Sequence, residues 1–292
     1  MSEFESIKVS TKTIVVHTNI NFHIDRMFEV IPYEDVPLPP YLKSKKEIKE
    51  YISEHTSFPD GTIISMEYEN QLKGILAKHF RNAMTIIMII DNKMVNCKIP
   101  RRGKIQMTGC KFDKYSDECV KHLWRLVYTN STPKTPLYEF NNGGLEFQAI
   151  FRIVMTNKNF NLGFLIDREQ LNLYINKVER DTRSLLETTF GYTGLNIKKP
   201  VQHRNTMLKM FTFTTDGVWV KSDIEYDDYL TYLSPKDYSN EISKKRYNSF
   251  LVFQSGSAIM SGMNSEYMED DYYEFRKMIT RCKDIIEDKC IE

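Results

Sequence analysis

The sequence predicts an α+β fold of two similar halves, each a curved antiparallel sheet with helices on one face. The main evidence is a pair of segments, residues 98–111 (KIPRRGKIQMTGCK) and residues 249–264 (SFLVFQSGSAIMSGMN), which align at an offset of 153 residues. The alignment matches Gly103 with Gly256, and each segment is typical of two strands joined by a tight turn. We expect both glycines to adopt the positive φ that a hairpin turn requires.

A second pair of segments supports an internal duplication. The pentapeptide TNINF at residues 18–22 recurs as TNKNF at residues 156–160, and the tripeptide IDR at residues 24–26 recurs at residues 166–168. Their offsets are 138 and 142 residues, and they keep the same order along the chain. Each match is weak alone, but the shared order favours duplication over coincidence.

Length and composition are compatible with two repeats. The chain has 292 residues, more than one hydrophobic core usually organises, and 41% of them are hydrophobic. Residues 129–144 (TNSTPKTPLYEFNNGG) are rich in turn-forming types and predict a boundary. We therefore expect a first repeat at residues 1–135 and a second repeat at residues 145–292.

In the first half, β-branched residues at 11–22 predict a strand, and Asp25 is a suitable N-cap for a short helix. Residues 43–55 place their apolar side chains on one face, which predicts a surface helix. The other elements that we expect here are a proline-rich loop at 33–41, strands at 62–68, 84–90, 94–99 and 103–108, and a helix at 116–128.

In the second half, residues 146–160 predict a strand, and the apolar face of residues 167–177 predicts a helix. Residues 224–245 form an acidic, tyrosine-rich insertion without a counterpart in the first half. The remaining expected elements are a second helical stretch to residue 188, a strand at 192–198, hairpins within 207–220 and 250–261, and a final helix at 267–286.

Charge and motifs exclude several functions. A net charge of +1 argues against binding nucleic acid mainly by neutralising phosphates. A local cluster of Lys98, Arg101, Arg102 and Lys104 stands out, although a solvated turn explains it equally well. The histidines never pair at metal-ligand spacing and no catalytic fingerprint occurs, so we expect no enzyme, cofactor or metal site.

The sequence also bears on the compartment. The five cysteines are odd in number and lack CxxC spacing, which favours reduced thiols. The longest apolar run, MTIIMII at residues 84–90, is too short to span a bilayer, and the N-terminus lacks the order of a secretory signal. We expect an intracellular protein, located in the nucleus or, if viral, in a cytoplasmic virus factory or virion.

At the two hairpins the chain resembles the TATA-box-binding protein family, whose repeats carry a motif that runs roughly Leu-Ile-Phe-x-Ser-Gly-Lys-x-x-x-Thr-Gly-Ala-Lys. Residues 251–262 (LVFQSGSAIMSG) follow this motif, and residues 99–111 follow it from Gly103 onward. The resemblance implies a saddle-like sheet with helices on its convex face. It also implies insertions at 33–57 and 222–248, similar to those of lengthened viral members of the family.

The resemblance implies a transcription initiation factor that binds and bends A·T-rich promoter DNA through the minor groove. The implied partners are double-stranded promoter DNA, a TFIIB-like initiation factor and the RNA polymerase machinery, with the protein itself a monomer. The alternative is a protein-interaction module of the same fold that has lost or weakened DNA binding.

The resemblance implies the site residues position by position. Phe253 matches a wedge phenylalanine of the hairpin motif. Phe58 matches a second wedge, because Phe58-Pro59 resembles the family's Phe-Pro-Gly-Leu, and Tyr192, or else Phe190, lies near the corresponding place in the second half. With the basic turn, the candidate DNA-binding residues are Val15, Phe58, Arg101, Arg102, Lys104, Gln106, Thr108, Tyr192, Leu251, Phe253, Ile259 and Ser261.

The first repeat departs from the motif. Pro100 stands where a wedge phenylalanine is expected, and Lys98 stands where a leucine is expected. The family's paired asparagines find no clear match, since Thr13 lies at one place and Met155 or Phe151 at the other. We therefore expect DNA binding to be weakened, asymmetric or altered in sequence preference.

Overall fold

The structure is a computed structural model that describes residues 2–39, 41–42, 44–75, 82–141, 143–186, 194–201, 206–263 and 265–289. The chain divides into two compact units. We call Thr13–Arg152 with Thr206–Tyr232 the N-unit, and Met1–Lys12 with Ile153–Asn205 and Leu233–Glu292 the C-unit. The repeat boundaries drawn from the sequence stay a prediction, because these units are defined by contacts and not by ancestry.

The N-unit combines antiparallel strands with helices. Its elements are part of β1 (Val9–Thr18), β2 (Ile20–Phe22), α2 (Ile24–Val30), α3 (Lys45–His55), β3 (Ile63–Tyr68), β4 (Gln71–Gly74), β5 (Ala83–Ile90), β6 (Lys93–Pro100), β7 (Lys104–Thr108), α4 (Asp113–Asn130), β8 (Tyr138–Phe140), part of β9 (Phe147–Asn161), β12 (Met207–Phe213), β13 (Trp219–Glu225) and α6 (Tyr226–Thr231). Its strand orders are β1–β7–β6–β5–β3–β4 and β9–β12–β13, with β2 paired to β8.

The C-unit has the simpler plan. Its elements are α1 (Glu3–Ser6), the first residues of β1, the second part of β9, α5 (Arg168–Val178), β10 (Arg183–Leu186), β11 (Gly194–Pro200), α7 (Pro235–Ser243), β14 (Tyr247–Phe253), β15 (Ser257–Gly262) and α8 (Ser265–Ile286). The strands follow the order β10–β11–β14–β15–β9. All of these pairs are antiparallel, as are those of the N-unit, so the α+β prediction is confirmed.

One face of each sheet is covered by the predicted helices. In the C-unit, α5 and α8 bury the sheet residues Phe250 and Met260, and Phe250 stacks on Phe275 at a ring distance of 4.1 Å. In the N-unit, the Cys97 Sγ of β6 lies 3.1 Å from the Cys119 Sγ of α4. The buried apolar residues of α4 therefore form the core on that side of the sheet.

The two hairpins are equivalent in register. In the N-unit, Lys98 lies opposite Gln106, and in the C-unit, Leu251 lies opposite Ile259. Each residue of the first pair is related to its counterpart by the offset of 153 residues that the sequence alignment predicts. The backbone geometry therefore supports the duplication at the hairpins.

The turns of the hairpins are equivalent as well. Gly103 and Gly256 have φ angles of 59° and 77°, which confirms the predicted positive φ. The Thr18 amide donates to the Gly103 carbonyl at 2.9 Å, and the Leu162 amide donates to the Gly256 carbonyl at 2.8 Å. A second matched pair of amide-to-carbonyl bonds, each of 2.8 Å, joins Phe22 to Arg101 and Ile166 to Gln254.

The alignment of TNINF with TNKNF is wrong as a structural equivalence. The shared hydrogen bonds relate the opening strands by 144 residues, whereas the pentapeptide match requires 138. The strand register agrees, because Thr13 lies opposite Thr108 and Asn157 lies opposite Ser261. A short polar motif thus recurs at different positions on two long strands.

A second correction concerns the helical stretch predicted to reach residue 188. α5 ends at Val178, and Arg183–Leu186 forms the edge strand β10 instead. Ser184 lies opposite Ile197 in an antiparallel pair with β11. Pairing with a neighbouring strand satisfies backbone groups that a helix this short would leave open, so the tertiary context overrides local propensity.

Candidate nucleic-acid interface

Alternation along β14 and β15 separates two sets of side chains in the C-unit. Phe250 and Met260 belong to the core under α5 and α8, whereas Leu251, Phe253 and Ile259 are half-buried and point to the opposite side. We call this opposite side the C-face. Residues directly across an antiparallel pair share a face. The C-face therefore also includes residues of the neighbouring strands.

The C-face presents apolar residues bordered by amides and hydroxyls. Leu251 lies opposite Asn196 of β11, and Ile259 lies opposite Asn159 of β9. The register places the following residues on the C-face: Asn157, Asn159, Leu185, Asn196, Lys198, Ser249, Leu251, Phe253, Ser257, Ile259 and Ser261. Four of these residues were predicted from the sequence, namely Leu251, Phe253, Ile259 and Ser261. Ser249 and Ser257 share their face by alternation along β14 and β15, and the residues of β9, β10 and β11 join it through strand register.

Gly194 leaves room for the apolar residues of the C-face. It lies opposite Phe253, and a Cβ atom built on it would stand 2.5 Å from Leu251 Cδ1 and 3.4 Å from Phe253 Cε1. The side chains of Leu251 and Phe253 therefore occupy the space above this glycine. Leu185 of the edge strand extends the same face and is 63% exposed.

Two asparagines on β9 add hydrogen-bonding capacity to the C-face. The Ser10 hydroxyl lies 3.1 Å from the Asn157 carbonyl and 3.3 Å from Asn159 Oδ1. Asn157 Oδ1 is buried and has no hydrogen-bond partner among the described residues. Asn157 also holds the position equivalent to Thr13, and neither Met155 nor Phe151 does.

The matching side of the N-unit sheet, which we call the N-face, lies opposite α4. Met107 pairs with Cys97, which contacts α4, so the alternate residues Gln106 and Thr108 point away from that helix. Both are exposed, and Val15 lies opposite Gln106. The predicted contact residues Val15, Gln106 and Thr108 are thus brought together.

Helix α3, in the predicted insertion at 33–57, covers another part of the N-face. Ile86 of β5 pairs with Cys97 and so faces α4, which turns its neighbour Ile87 to the other side. There, Ile48 and Ile52 of α3 pack in one cluster with Ile87. The N-unit sheet therefore carries helices on both faces, an addition to the predicted plan.

Helix α6, in the insertion predicted without a counterpart, covers His17. Tyr229 is fully buried, its hydroxyl lies 3.2 Å from His17 Nε2, and the two rings meet edge to face at 5.3 Å. His17 lies opposite Lys104 and shares the N-face with Val15. The exposed part of the N-face includes the polar strip around Gln106 and Thr108, with the half-buried Val15 beside it and the exposed Leu72 of β4 farther along the same face.

The assignment of Phe58 to a wedge position is wrong as a structural equivalence. β11 lies beside β14 in the C-unit, and the strand in that place beside β6 is β5, whereas Phe58 precedes β3. Phe58 instead packs against the apolar cluster under α3. Tyr192 and its alternative Phe190 lie outside the described residues.

The basic turn is partly engaged within the protein. Arg101 donates to the Tyr68 hydroxyl at 2.8 Å and lies 3.5 Å from Asp25 Oδ1. This hydrogen bond raises the pKa of Arg101, and burial raises the pKa of Tyr68. Arg102 is exposed and Lys104 is half-buried, so the turn offers less free charge than its sequence suggests.

Other chemistry is sparse in the described part of the chain. Cys97, Cys110, Cys119 and Cys282 are buried, and the contact with Cys119 together with burial raises the pKa of Cys97. Among the described residues no group of three or more His, Cys, Asp or Glu side chains could hold a metal ion. No described helix combines the length and apolar character needed to cross a membrane.

Comparison with known proteins adds the following. No family model matches the chain. It is 24% identical over 303 residues to uncharacterized protein 335L of Invertebrate iridescent virus 6, across 97% of this chain and 86% of the relative. Among solved structures it is similar to Methanococcus jannaschii TBP, with 11% identity, a TM-score of 0.45, and coverage of 94% of this chain and 98% of that chain. At these values neither comparison assigns a family, so the surfaces themselves carry the functional argument.

Proposed function

We propose that the protein is a transcription factor that binds A·T-rich duplex DNA through the minor groove, with the C-face as its main contact surface. The observation that carries the proposal is the alignment of Leu251, Phe253 and Ile259 on one sheet face, bordered by asparagine and serine side chains. These three residues are half-buried, and they lie outside the core cluster under α5 and α8.

The chemistry of this surface suits the minor groove of A·T pairs. That groove presents only acceptors, adenine N3 and thymine O2, whereas a G·C pair adds an amino donor. The Asn196 amide and the Ser249 and Ser261 hydroxyls can donate to such acceptors. Apolar side chains can enter partly unstacked base steps, which bends the duplex. Binding of this kind needs few phosphate contacts, which fits a net charge of +1.

Within this proposal the bent complex acts in transcription initiation. Its partners would be a TFIIB-like initiation factor and RNA polymerase, which recognise the protein together with its DNA.

One observation favours a second candidate, a protein-interaction module with weakened DNA binding. Helix α3 of the same chain already occupies the apolar part of the N-face, which shows that such a face can accept a helix.

A binding experiment separates the two candidates. Fluorescence anisotropy at one salt concentration would compare A·T-rich and G·C-rich duplexes of equal length. We expect tighter binding to the A·T-rich duplex. We also expect Phe253→Ala to bind this duplex roughly tenfold more weakly, a loss of about 1.4 kcal/mol in binding free energy. The matched control is Leu173→Ala, on the exposed side of α5 in the same unit. Equal affinity for both duplexes, or an unchanged Phe253→Ala, would favour the interaction module.

A further inference from the structure

Equivalent positions of the two hairpins carry opposite chemistry. Leu251 corresponds to Lys98 and Ile259 corresponds to Gln106, since each pair occupies the same register at the offset of 153 residues. Phe253 lies opposite Gly194 in β11, and its counterpart Pro100 lies opposite Ala83 in β5. The C-unit thus presents three large apolar side chains where the N-unit presents none.

Three apolar side chains of the N-face are held by α3, whereas Val15 and Leu72 lie on the same face outside that cluster. Ile64, Ile87 and Ile89 are each at most 4% exposed and pack in one cluster with Ile48 and Ile52. A contact of this size keeps the sheet residues from reaching any other ligand.

Helix α3 is capped by side chains at both ends. Its first turn is closed by a capping box, in which the Ser44 hydroxyl accepts from the Glu47 amide and the Glu47 carboxylate accepts from the Ser44 amide. At its last turn, the Thr56 hydroxyl and amide both donate to the Ile52 carbonyl. Each end of α3 therefore has a capping side chain, which favours the helical state that packs on the sheet.

We infer that DNA deformation by this protein is one-sided. The inference rests on the proposed function. The C-face alone inserts apolar side chains and unstacks the duplex at one place, while the exposed strip of the N-face around Gln106 and Thr108 makes polar contacts without unstacking. The corresponding substrate is a duplex with a single deformable A·T-rich segment, such as one built around a flexible TA step.

Base-specific fluorescence tests this directly. 2-Aminopurine replaces one adenine at a time along an A·T-rich duplex, and its emission rises where stacking is lost. With saturating amounts of the full chain we expect one contiguous region of raised emission, abolished by Phe253→Ala and unchanged by the control Leu173→Ala. Gln106→Ala and Thr108→Ala should weaken binding without moving that region at saturation. Two separate regions, or a region that moves in the saturated Gln106 or Thr108 variant, would overturn the inference. Tight binding without raised emission would also overturn it while leaving DNA binding intact. Absence of binding by the unmodified chain would remove the proposed function as well.

A residue exchange tests the cause of the asymmetry. The triple variant Lys98→Leu/Pro100→Phe/Gln106→Ile gives the N-face the residues found at the equivalent positions of the C-face. We expect a second region of raised emission and a several-fold gain in affinity. Circular dichroism would establish that the variant is folded, and a folded variant with the original single region would overturn the assignment of the asymmetry to these side chains.

Discussion

The two hairpins share their backbone and differ in almost everything that they display. Register, turn glycines and the hydrogen bonds that close the turns agree at fixed offsets. The hairpin of the C-unit, however, carries Leu251 and Ile259 on the C-face, and the hairpin of the N-unit carries Lys98 and Gln106 on the N-face. The backbone geometry of the two hairpins is thus the same where their surface chemistry differs, so a fold comparison alone would not predict the chemistry of the N-face.

The largest expected effect tests the shared backbone. Gly103→Ala and Gly256→Ala should each destabilise the protein by about 4 kcal/mol, because positive φ is strained for alanine and overpacking adds a similar cost. The added Cβ would lie 2.1 Å from the Ile20 carbonyl oxygen in one hairpin and 2.2 Å from the Phe164 carbonyl oxygen in the other. Urea unfolding measures both variants.

Gly163→Ala is the matched control for these two variants. Gly163 has a φ of 90° but nothing within 4 Å of an added Cβ, so only the backbone strain remains. We expect about 1–2 kcal/mol for this substitution. The two turns are energetically equivalent if Gly103→Ala and Gly256→Ala lose similar free energies of unfolding. A difference between them as large as the difference from the Gly163→Ala control would contradict this equivalence.

A smaller effect tests the difference between the covered and the open face. Ile52 is 3% exposed in the cluster under α3, so Ile52→Ala should cost about 2–4 kcal/mol of stability and leave DNA affinity unchanged. Ile259 is half-buried on the C-face, so Ile259→Ala should cost about 1 kcal/mol of stability and weaken DNA binding. Urea unfolding and anisotropy on the same two variants give the comparison, and the reverse ranking in either assay would contradict it.

Much of the fold could be predicted because hydrophobic alternation and glycine turns are local signals. The hairpin equivalence needed only the positions of Gly103 and Gly256, whose conformation is set by the turn itself. Edge strand β10 was missed because its stability comes from pairing with β11, which lies beyond its own sequence. Short polar motifs misled in the opposite direction, since TNINF and TNKNF match in letters but not in register.

The candidate site was predicted less completely, for a physical reason. Side chains one strand apart become neighbours only through register, so Asn196 and Asn159 carry no sequence signal that connects them with Leu251 and Ile259. The packing of α3 on the N-face could not be predicted either. An amphipathic pattern predicts a helix with one apolar face, but it does not determine which face of a sheet that helix covers. The assignment of Phe58 is wrong because Phe58-Pro59 resembles the family's Phe-Pro-Gly-Leu in its residues but precedes β3, not β5.

The smallest expected effect is on the pH dependence of stability. It compares a histidine in α4 of the N-unit with a tyrosine in α8 of the C-unit. Burial lowers the pKa of His122 in α4 from 6.5, so the folded N-unit favours the neutral ring and should lose stability as the pH falls below 6.5. Burial raises the pKa of Tyr272 in α8 to about 12, so the C-unit should lose stability as the pH rises above 10. His122→Gln should flatten only the acid side of a urea-midpoint profile. Tyr272→Phe should flatten only the alkaline side, and a His122→Gln profile parallel to that of the unmodified chain below pH 6.5 would show that this histidine does not couple protonation to folding.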